Sequence, residues 1–243
     1  MLESSRIEIN GVTIYFNIKR KKIKNMYMKF SEDGVLHITV PNNIEIDKVD
    51  NFIRSKINWI MSQKKQLEKI AEMKESINFN NGDDLYFLGK KYNLVVIPDK
   101  KNKVMINESN IEISIKERLI DDREYKRKIY EKWLKSQCLS LCTEYIEFYY
   151  EKMKKYNVPF PKINAKNFKA RWGCCIPKRN QVEFAINLVK APRECVEYVV
   201  VHELAHFKYI HHDEKFYEFV SIFIPDWKKR RDSLNRVYGR IIG

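Results

Sequence analysis

Hydrophobic and polar residues alternate along much of the first 118 residues of the chain. The alternation is clearest over residues 12–18, 26–30, 36–40 and, in short runs, 85–115. A period of two predicts strands with one buried face. Between Ile46 and Met73 the apolar spacing changes to three or four residues, which predicts an amphipathic helix. We therefore expect residues 1–118 to form a β-rich amino-terminal module with one helix.

The rest of the chain has a mainly helical pattern. Neither Gly nor Pro interrupts residues 121–156, where apolar side chains recur near helical spacing. A hairpin is predicted over residues 167–188, with its turn at Pro177 to Asn180, and further helices follow it. We expect residues 119–243 to form a helical domain that contains a small β-hairpin sheet. No internal repeat is visible.

Composition and charge indicate which binding partners and which cellular compartment the protein could have. The chain has 46 Lys and Arg against 32 Asp and Glu, a net charge of +14, and residues 151–200 hold 11 of the former against 4 of the latter. The simplest interpretation of this segment is a solvated basic surface, although a nucleotide or nucleic acid is a candidate partner. Five cysteines, no export signal and no apolar span predict a cytoplasmic protein without membrane contact. Nothing here indicates the oligomeric state.

The candidate chemistry lies in the segment His202-Glu203-Leu204-Ala205-His206. On a helix, histidines four residues apart share one face, so both imidazoles can reach one ion. Glu203 lies about 100° further round and can address a water on that ion as general base. Zinc held by three protein ligands keeps one position for water and lowers the pKa of that water toward about 7. The spacing therefore predicts a Zn²⁺ site with His202 and His206 as ligands and Glu203 as the catalytic residue.

A third ligand must come from His212 or His211. On a continuous helix His212 would point away from the first pair, so the helix must break near residues 209–211. Asp213 can then cap the next helix, with His212 just ahead of it. We expect His212 to be the metal ligand and His211 to be a nearby hydrogen-bond donor or a solvated side chain.

Two other zinc arrangements fit less well. The metzincin pattern needs a Gly where this chain has Tyr209, and it needs a later Met, whereas the last methionine here is Met153. A thermolysin-like site would take a Glu from a separate helix, for which Glu214 and Glu218 are available.

Several segments around the motif occur in a familiar order. They are Arg171-Trp172-Gly173-Cys174-Cys175, Ile186-Asn187-Leu188, Tyr198 to His206, His212 with Phe216-Tyr217, and Pro225-Asp226. With this spacing the sequence resembles the YgjP-like metallopeptidase family, which is related to the SprT-like zinc proteases. The similarity is strong over residues 168–227 and extends to the amino-terminal half through Arg20, Val40-Pro41 and Lys56 to Trp59.

The resemblance implies an α+β fold, in which the β-rich module packs with a minigluzincin-like zinc hydrolase domain. It also implies His202, His206 and His212 as ligands and Glu203 as general base. Two departures stand out: Cys174 replaces a usual Ser, and His211 stands where the family commonly has Asn.

Four residues are candidates for substrate binding. Arg171 and Trp172 either border a hairpin edge that pairs with an extended peptide or serve a structural role, Trp172 in the core and Arg171 with an acid. Arg171 or Tyr217 would steady an oxyanion, with a packed aromatic as the alternative for Tyr217. His211 adds a proton donor near the metal.

The sequence is therefore compatible with three functions. The first is a zinc metallopeptidase that takes a protein or peptide substrate. The second is a metal-dependent hydrolase of nucleotide phosphoanhydrides, which the surplus of Lys and Arg would suit. The third is a nucleic-acid-associated module, or a protease acting on nucleic-acid-bound protein, by analogy with the SprT-like relatives.

Overall fold

Helices and three small, separate sheets make up the chain, so the fold is α+β, as predicted. The computed structural model describes residues 2–9, 11–31, 35–65, 77–168 and 171–241. It divides into two compact units, Met1–Ala71, here called unit 1, and Glu72–Gly243, called unit 2. Within the described ranges, no helix combines the length and the apolar character that crossing a bilayer requires.

Unit 1 is a four-stranded sheet with helices on one face. Its elements are β1 (Leu2–Ile9), β2 (Val12–Lys21), β3 (Tyr27–Phe30), β4 (Leu36–Pro41) and α1 (Ile46–Ser55). The strand order is β1-β2-β4-β3, with β2 parallel to β4 and the outer pairs antiparallel. Alternate side chains of the strands, such as Phe16 and Ile38, pack with Val49 and Ile53 of α1 in a buried apolar cluster. The predicted one-sided sheet is confirmed.

The predicted helix over residues 46–73 is interrupted at Lys56. Helical structure resumes over residues 57–65, and Ile60 of this segment is buried in the unit 1 core. Residues 66–73 of the prediction lie outside the described residues. The interruption is small, because the apolar face continues across it at helical spacing.

Unit 2 begins with a second four-stranded sheet. Its strands are β5 (Asp84–Phe87), β6 (Lys90–Pro98), β7 (Lys103–Asn107) and β8 (Asn110–Ile115), in the order β5-β6-β8-β7. Strands β6 and β8 are parallel and the outer pairs are antiparallel, which is the arrangement of unit 1. The two sheets therefore repeat one topology, although their sequences show no repeat.

The two compact units divide between residues 71 and 72, so the predicted end of the β-rich module, near residue 118, falls within unit 2. The reason is packing: Ile111 and Ile113 of the second sheet share a core with Tyr130 and Leu134 of the following long helix, α2 (Arg123–Met153). Alternation identifies a strand with one buried face, but it does not say which helix covers that face.

A three-stranded sheet and three helices complete unit 2. The strands are β9 (Lys162–Lys166), β10 (Gly173–Ile176) and β11 (Gln181–Ala185), and the helices are α3 (Arg193–Ala205), α4 (Glu214–Phe223) and α5 (Trp227–Ile241). Strands β10 and β11 form the predicted hairpin, with a 3-10 turn at Pro177–Arg179. Strand β9 adds to β11 in parallel, so β10 is left at an edge of the sheet.

The turn between β5 and β6 fixes the start of α3. The N–H groups of Leu88 and Gly89 donate to the carbonyls of Val189 and Lys190, at 2.7 and 3.1 Å. Gly89 has a φ of +78°, and a Cβ there would lie 2.9 Å from Cγ of Pro192. Glycine is therefore required by backbone conformation and by space.

Candidate metal centre

The chain breaks between α3 and α4, and this break brings distant histidines together. Helix α3 ends at Ala205 and His206 occupies its carboxyl-terminal cap, a few residues earlier than predicted. Asp213 caps α4 as predicted, because its Oδ1 accepts the backbone N–H of Phe216 at 3.0 Å. The intervening turn carries His212 back to the α3 pair.

His202, His206 and His212 form a cluster of imidazoles. Their candidate ligand nitrogens all lie within 4.8 Å of one another, and the Nε2 atoms of His202 and His212 are 2.9 Å apart. Zinc–nitrogen bonds of about 2.0–2.1 Å at tetrahedral angles place nitrogens roughly 3.4 Å apart. The spacing of the three nitrogens thus fits a single ion of this size.

Hydrogen bonds outside the cluster orient two of the rings. The Tyr209 carbonyl can only accept, so the His206 Nδ1–H donates to it at 3.0 Å and leaves Nε2 with a free lone pair. The Tyr198 hydroxyl lies 3.4 Å from Nδ1 of His202. Both contacts leave Nε2 as the nitrogen directed to the cluster.

The imidazoles are held in the neutral form that binds metals. Burial, with smaller effects from His206 and His212, lowers the pKa of His202 to about 3. Burial also lowers the pKa of His206, against its hydrogen bond to Tyr209, and the pKa of His212, which His211 lowers further. Neutral rings at physiological pH present lone pairs without competition from protons.

Phe216 packs against all three rings from one side. This residue of α4 is fully buried, and its ring centroid lies 4.9 Å from His202, 4.7 Å from His206 and 4.8 Å from His212. It links the two imidazoles contributed by the end of α3 to the one that precedes α4.

Glu203 is a buried carboxyl next to this cluster. Burial raises its pKa to about 8, although the Cys175 backbone N–H, which donates to it, and the Arg171 charge act in the opposite direction. Its side chain presses on β10: a Cβ at Gly173 would lie 2.7 Å from both Cγ and Oε1 of Glu203. Gly173 therefore provides the space in which the carboxyl is held.

The cluster opens into a cleft of about 310 Å³ between β10 and the histidine-bearing turn. Its lining consists of Gly173, Cys174, Cys175, Pro177, His202, Glu203, His206, Ile210 and His212. Ile210 is 74% exposed, so a large apolar side chain stands in solvent at the rim of a polar site. A buried carboxyl beside three imidazoles in an open cleft is an arrangement that suits metal-assisted hydrolysis.

The other predicted site residues take different places. Arg171 is exposed, with its guanidinium carbon 5.5 Å from the centroid of the Phe168 ring, and its charge reaches Glu203. Trp172 is half-buried and packs against the core. His211 is exposed next to His212. Tyr217 stacks between His212 and Trp227, at 6.2 and 4.2 Å between ring centroids.

None of these four residues is among those that line the cleft. The alternative carboxylate ligands, Glu214 and Glu218, are exposed, and the candidate metal cluster among the described residues contains neither. His211 is likewise outside the cluster, so the structure places His212 with the pair.

Sequence reasoning missed several residues that shape the site. Tyr198 precedes His202 by four residues, so helical periodicity could have identified it. Phe216 is named only in the family resemblance, which does not indicate that its ring contacts the three histidines. The Tyr209 carbonyl contacts a histidine only three residues away, at the end of α3, whereas the space at Gly173 depends on tertiary approach, for which the sequence offers no signal.

Comparison with known proteins gives one informative match. None of the curated proteins compared with the chain matches it significantly. The family model described as YgjP-like, metallopeptidase domain, matches residues 24–237, which include every residue of the cleft. The family indicates a hydrolase of the metallopeptidase type and implies a metal ion, which the histidine cluster can bind. Since the match spans nearly the whole chain, the protein belongs to the YgjP-like metallopeptidase family, as the sequence resemblance indicated.

Proposed function

We propose that the protein is a zinc-dependent peptidase in which His202, His206 and His212 hold the metal and Glu203 is the general base. The observation that carries the proposal is the assembly of three neutral imidazoles beside a buried carboxyl in one cleft. The donor set supports zinc, because three imidazoles with room for one more ligand are typical of catalytic zinc.

The proposed mechanism assigns a separate task to each group. Zinc held by the three histidines would supply the Lewis acidity that hydrolysis of an amide needs near neutral pH. Glu203 accepts the proton of the attacking water and delivers it to the leaving nitrogen. The N–H of Cys175 and the space at Gly173 hold this carboxyl in place.

The raised pKa of Glu203 supports its role as a proton carrier. A carboxyl that burial has shifted toward neutral pH both accepts and releases a proton readily. A divalent cation in the adjacent cluster favours the ionised form again by its charge. Glu203 would then be ionised before the reaction and protonated during it.

An extended peptide is the proposed substrate. Strand β10 lines the cleft and lies at the edge of its sheet, where an added strand can pair. Ile210 and Pro177 offer an apolar rim that an apolar substrate side chain would cover. Arg171, Tyr217 and His211 remain proposed contacts for the substrate or its oxyanion, while the packing of Trp172 favours a structural role.

We also propose that the protein works in the cytoplasm. All five cysteines lie in the described chain as free thiols, which suits a reducing compartment.

The test compares the zinc-loaded protein with Glu203→Gln on two substrates, an unfolded labelled protein and a nucleoside triphosphate. We expect the unfolded protein to be cleaved, with kcat reduced at least 1000-fold in Glu203→Gln while bound zinc is retained. Glu218→Gln, an exposed change on α4, is the matched control and should keep full activity.

Glu203-dependent release of phosphate or pyrophosphate, without peptide cleavage, would replace the peptidase with a nucleotide hydrolase. Peptide cleavage that persists in Glu203→Gln would remove Glu203 as the base.

A further inference from the structure

The outer face of the unit 1 sheet is a second surface with a distinct chemistry. Side chains alternate between the two faces of a strand, so the residues between the buried positions point outward. The outward side chains include Arg6, Tyr15, Lys19, Lys21, Tyr27, Lys29, His37 and Thr39. We call this set the outer sheet face.

The outer sheet face is strongly basic. It carries the cations Arg6, Lys19, Lys21 and Lys29, against the single carboxylate of Glu8 among the side chains that the structure describes. Within the same described part of the chain, none of the four cations lies in an ion pair. Unpaired cations on one face favour a polyanionic partner.

The neighbouring Arg20 shows that a cation of unit 1 can also have a structural role. Arg20, which alternates to the other face of β2, donates from Nη1 to the carbonyls of Asn42 and Ile44, at 3.1 and 3.0 Å. Among the residues that the structure describes, the outward cations make no comparable contact with the fold, so the described contacts give their charge no structural role.

Two tyrosines stand on the same face. Tyr15 is 67% exposed and Tyr27 is 58% exposed, although large aromatic side chains usually bury most of their surface. Tyr15 lies directly across from Arg6, and Tyr27 is level with Lys19 through Thr39. From strand spacing and rise, the Cα positions of the two tyrosines are roughly 16 Å apart, so each ring can stack with a different base of one strand.

We propose that the outer sheet face binds single-stranded nucleic acid, with Tyr15 and Tyr27 stacking on bases and the four cations contacting phosphates. A one-sided, four-stranded sheet with exposed aromatic and basic residues suits unpaired bases, whose faces are accessible, better than a duplex, whose faces are stacked. The inference concerns unit 1 and does not depend on the peptidase reaction.

The test measures binding of the full-length protein to labelled oligonucleotides by fluorescence anisotropy at about 0.1 M salt. We expect single strands of about 12 nucleotides to bind at least tenfold more tightly than duplexes of the same length. Tyr15→Ala with Tyr27→Ala should weaken single-strand binding at least tenfold, whereas Tyr15→Phe with Tyr27→Phe should stay within about twofold, because stacking is preserved.

A second pair of variants tests the charges without touching the aromatics. Lys19→Gln with Lys29→Gln should reduce the slope of log affinity against log salt by about 1.4, since each phosphate contact on a single strand contributes about 0.7. Lys100→Gln with Lys101→Gln removes two exposed cations from unit 2 and should leave the slope unchanged. Glu203→Gln should bind as the wild type does.

Four results would overturn the proposal: no binding at low salt, equal affinity for duplex, unchanged affinity in the paired Ala variant, or equal competition by polyglutamate. The last would identify an acidic protein partner instead. Because both tyrosines are exposed, circular dichroism should show the same folded content in the Ala and Phe pairs, which separates lost stacking from lost structure.

Discussion

The two four-stranded sheets share one topology but differ in what each contributes. Both have the strand order first, second, fourth, third, with a parallel central pair. In both, a glycine of positive φ directly precedes the second strand of the first hairpin, Gly11 in unit 1 and Gly89 in unit 2. Gly11 has no atom within 4 Å of an added Cβ, whereas Gly89 lies against Pro192.

The outer faces differ as well. In unit 2, Lys91 pairs with Asp84 at 2.7 Å, and Glu112 accepts a hydrogen bond from Asn107 at 2.8 Å, so these charged groups find partners within the sheet. In unit 1 the outward cations are unpaired among the described residues. One topology therefore serves in unit 2 as a support for the histidine-bearing helix and offers in unit 1 a surface for a partner.

The largest effect is expected from removal of a proposed zinc ligand, which should affect the activity of unit 2 and not the surface of unit 1. His206→Ala removes one of three proposed ligands, so zinc affinity and peptidase activity should each fall at least 1000-fold. Elemental analysis after dialysis and a cleavage assay measure the two losses. Oligonucleotide binding should be unchanged. Full zinc occupancy in this variant would show that His206 is not a ligand.

The stability of unit 2 should depend on pH through the buried carboxyl of Glu203. In metal-free protein, burial raises the pKa of Glu203 from 4.5 to about 8. Between these values the unfolded chain is ionised at this position and the folded one is protonated, so stability falls as pH rises. Between about pH 6.5 and 8, where His202 is neutral in both states, the free energy of unfolding should therefore decrease by up to about 1.4 kcal/mol per pH unit.

Urea unfolding followed by tryptophan fluorescence measures this slope, since three of the four tryptophans lie in unit 2. Glu203→Gln should remove it and Glu218→Gln should retain it. Below about pH 6.5 an opposing effect is expected, because burial lowers the pKa of His202 from 6.5 to about 3, so protonation of this residue in the unfolded chain lowers stability as pH falls. An unchanged slope in Glu203→Gln would contradict the assignment.

A smaller effect is expected when the space around Glu203, the proposed general base, is filled. Gly173→Ala places a Cβ 2.7 Å from Glu203 Cγ and Oε1, so the carboxyl must move. We expect kcat to fall about 10- to 100-fold with zinc retained, because small displacements of a catalytic group are costly. Steady-state kinetics with zinc analysis measures this change. A loss confined to KM would point to substrate contacts at β10 instead.

The smallest effect compares the two hairpin turns directly. Gly11→Ala and Gly89→Ala both force alanine into a positive φ, at about 1 kcal/mol each. Only the second also crowds Pro192, so Gly89→Ala should destabilise the protein by about 1–2 kcal/mol more than Gly11→Ala. Thermal unfolding of the two variants gives the difference. Equal losses would mean that the β5–β6 turn does not support α3.

Helical spacing and capping preferences predicted those parts of the site that depend on residues close together in the sequence. The four-residue spacing of His202 and His206 needs only the helical period, and the position of Asp213 as a cap follows from side-chain chemistry at a helix start. The break before α4 was required by the direction in which His212 would otherwise point. The strand and hairpin predictions depend on a similar local period, and the structure has these elements.

Long-range packing set the limits of prediction. The assignment of the second sheet to unit 2 depends on contacts of residues such as Ile113 with α2, which alternation does not encode. The approach of Glu203 to Gly173 joins a helix and a strand about 30 residues apart, and neither local pattern contains that distance. Composition alone identifies the basic segment at residues 151–200, whereas the cations and tyrosines of the outer sheet face can be grouped only from the strand register.

The packing of Phe216 has a consequence for how the metal and the fold are linked. Small zinc modules are unfolded without their ion, because the ion itself closes the chain around it. Here a buried ring already contacts all three imidazoles and ties α3 to α4 through the core. The ligand set is therefore preorganised, and little conformational entropy is lost when an ion binds. Chelation should empty such a centre and leave the polypeptide folded and ready to be reloaded.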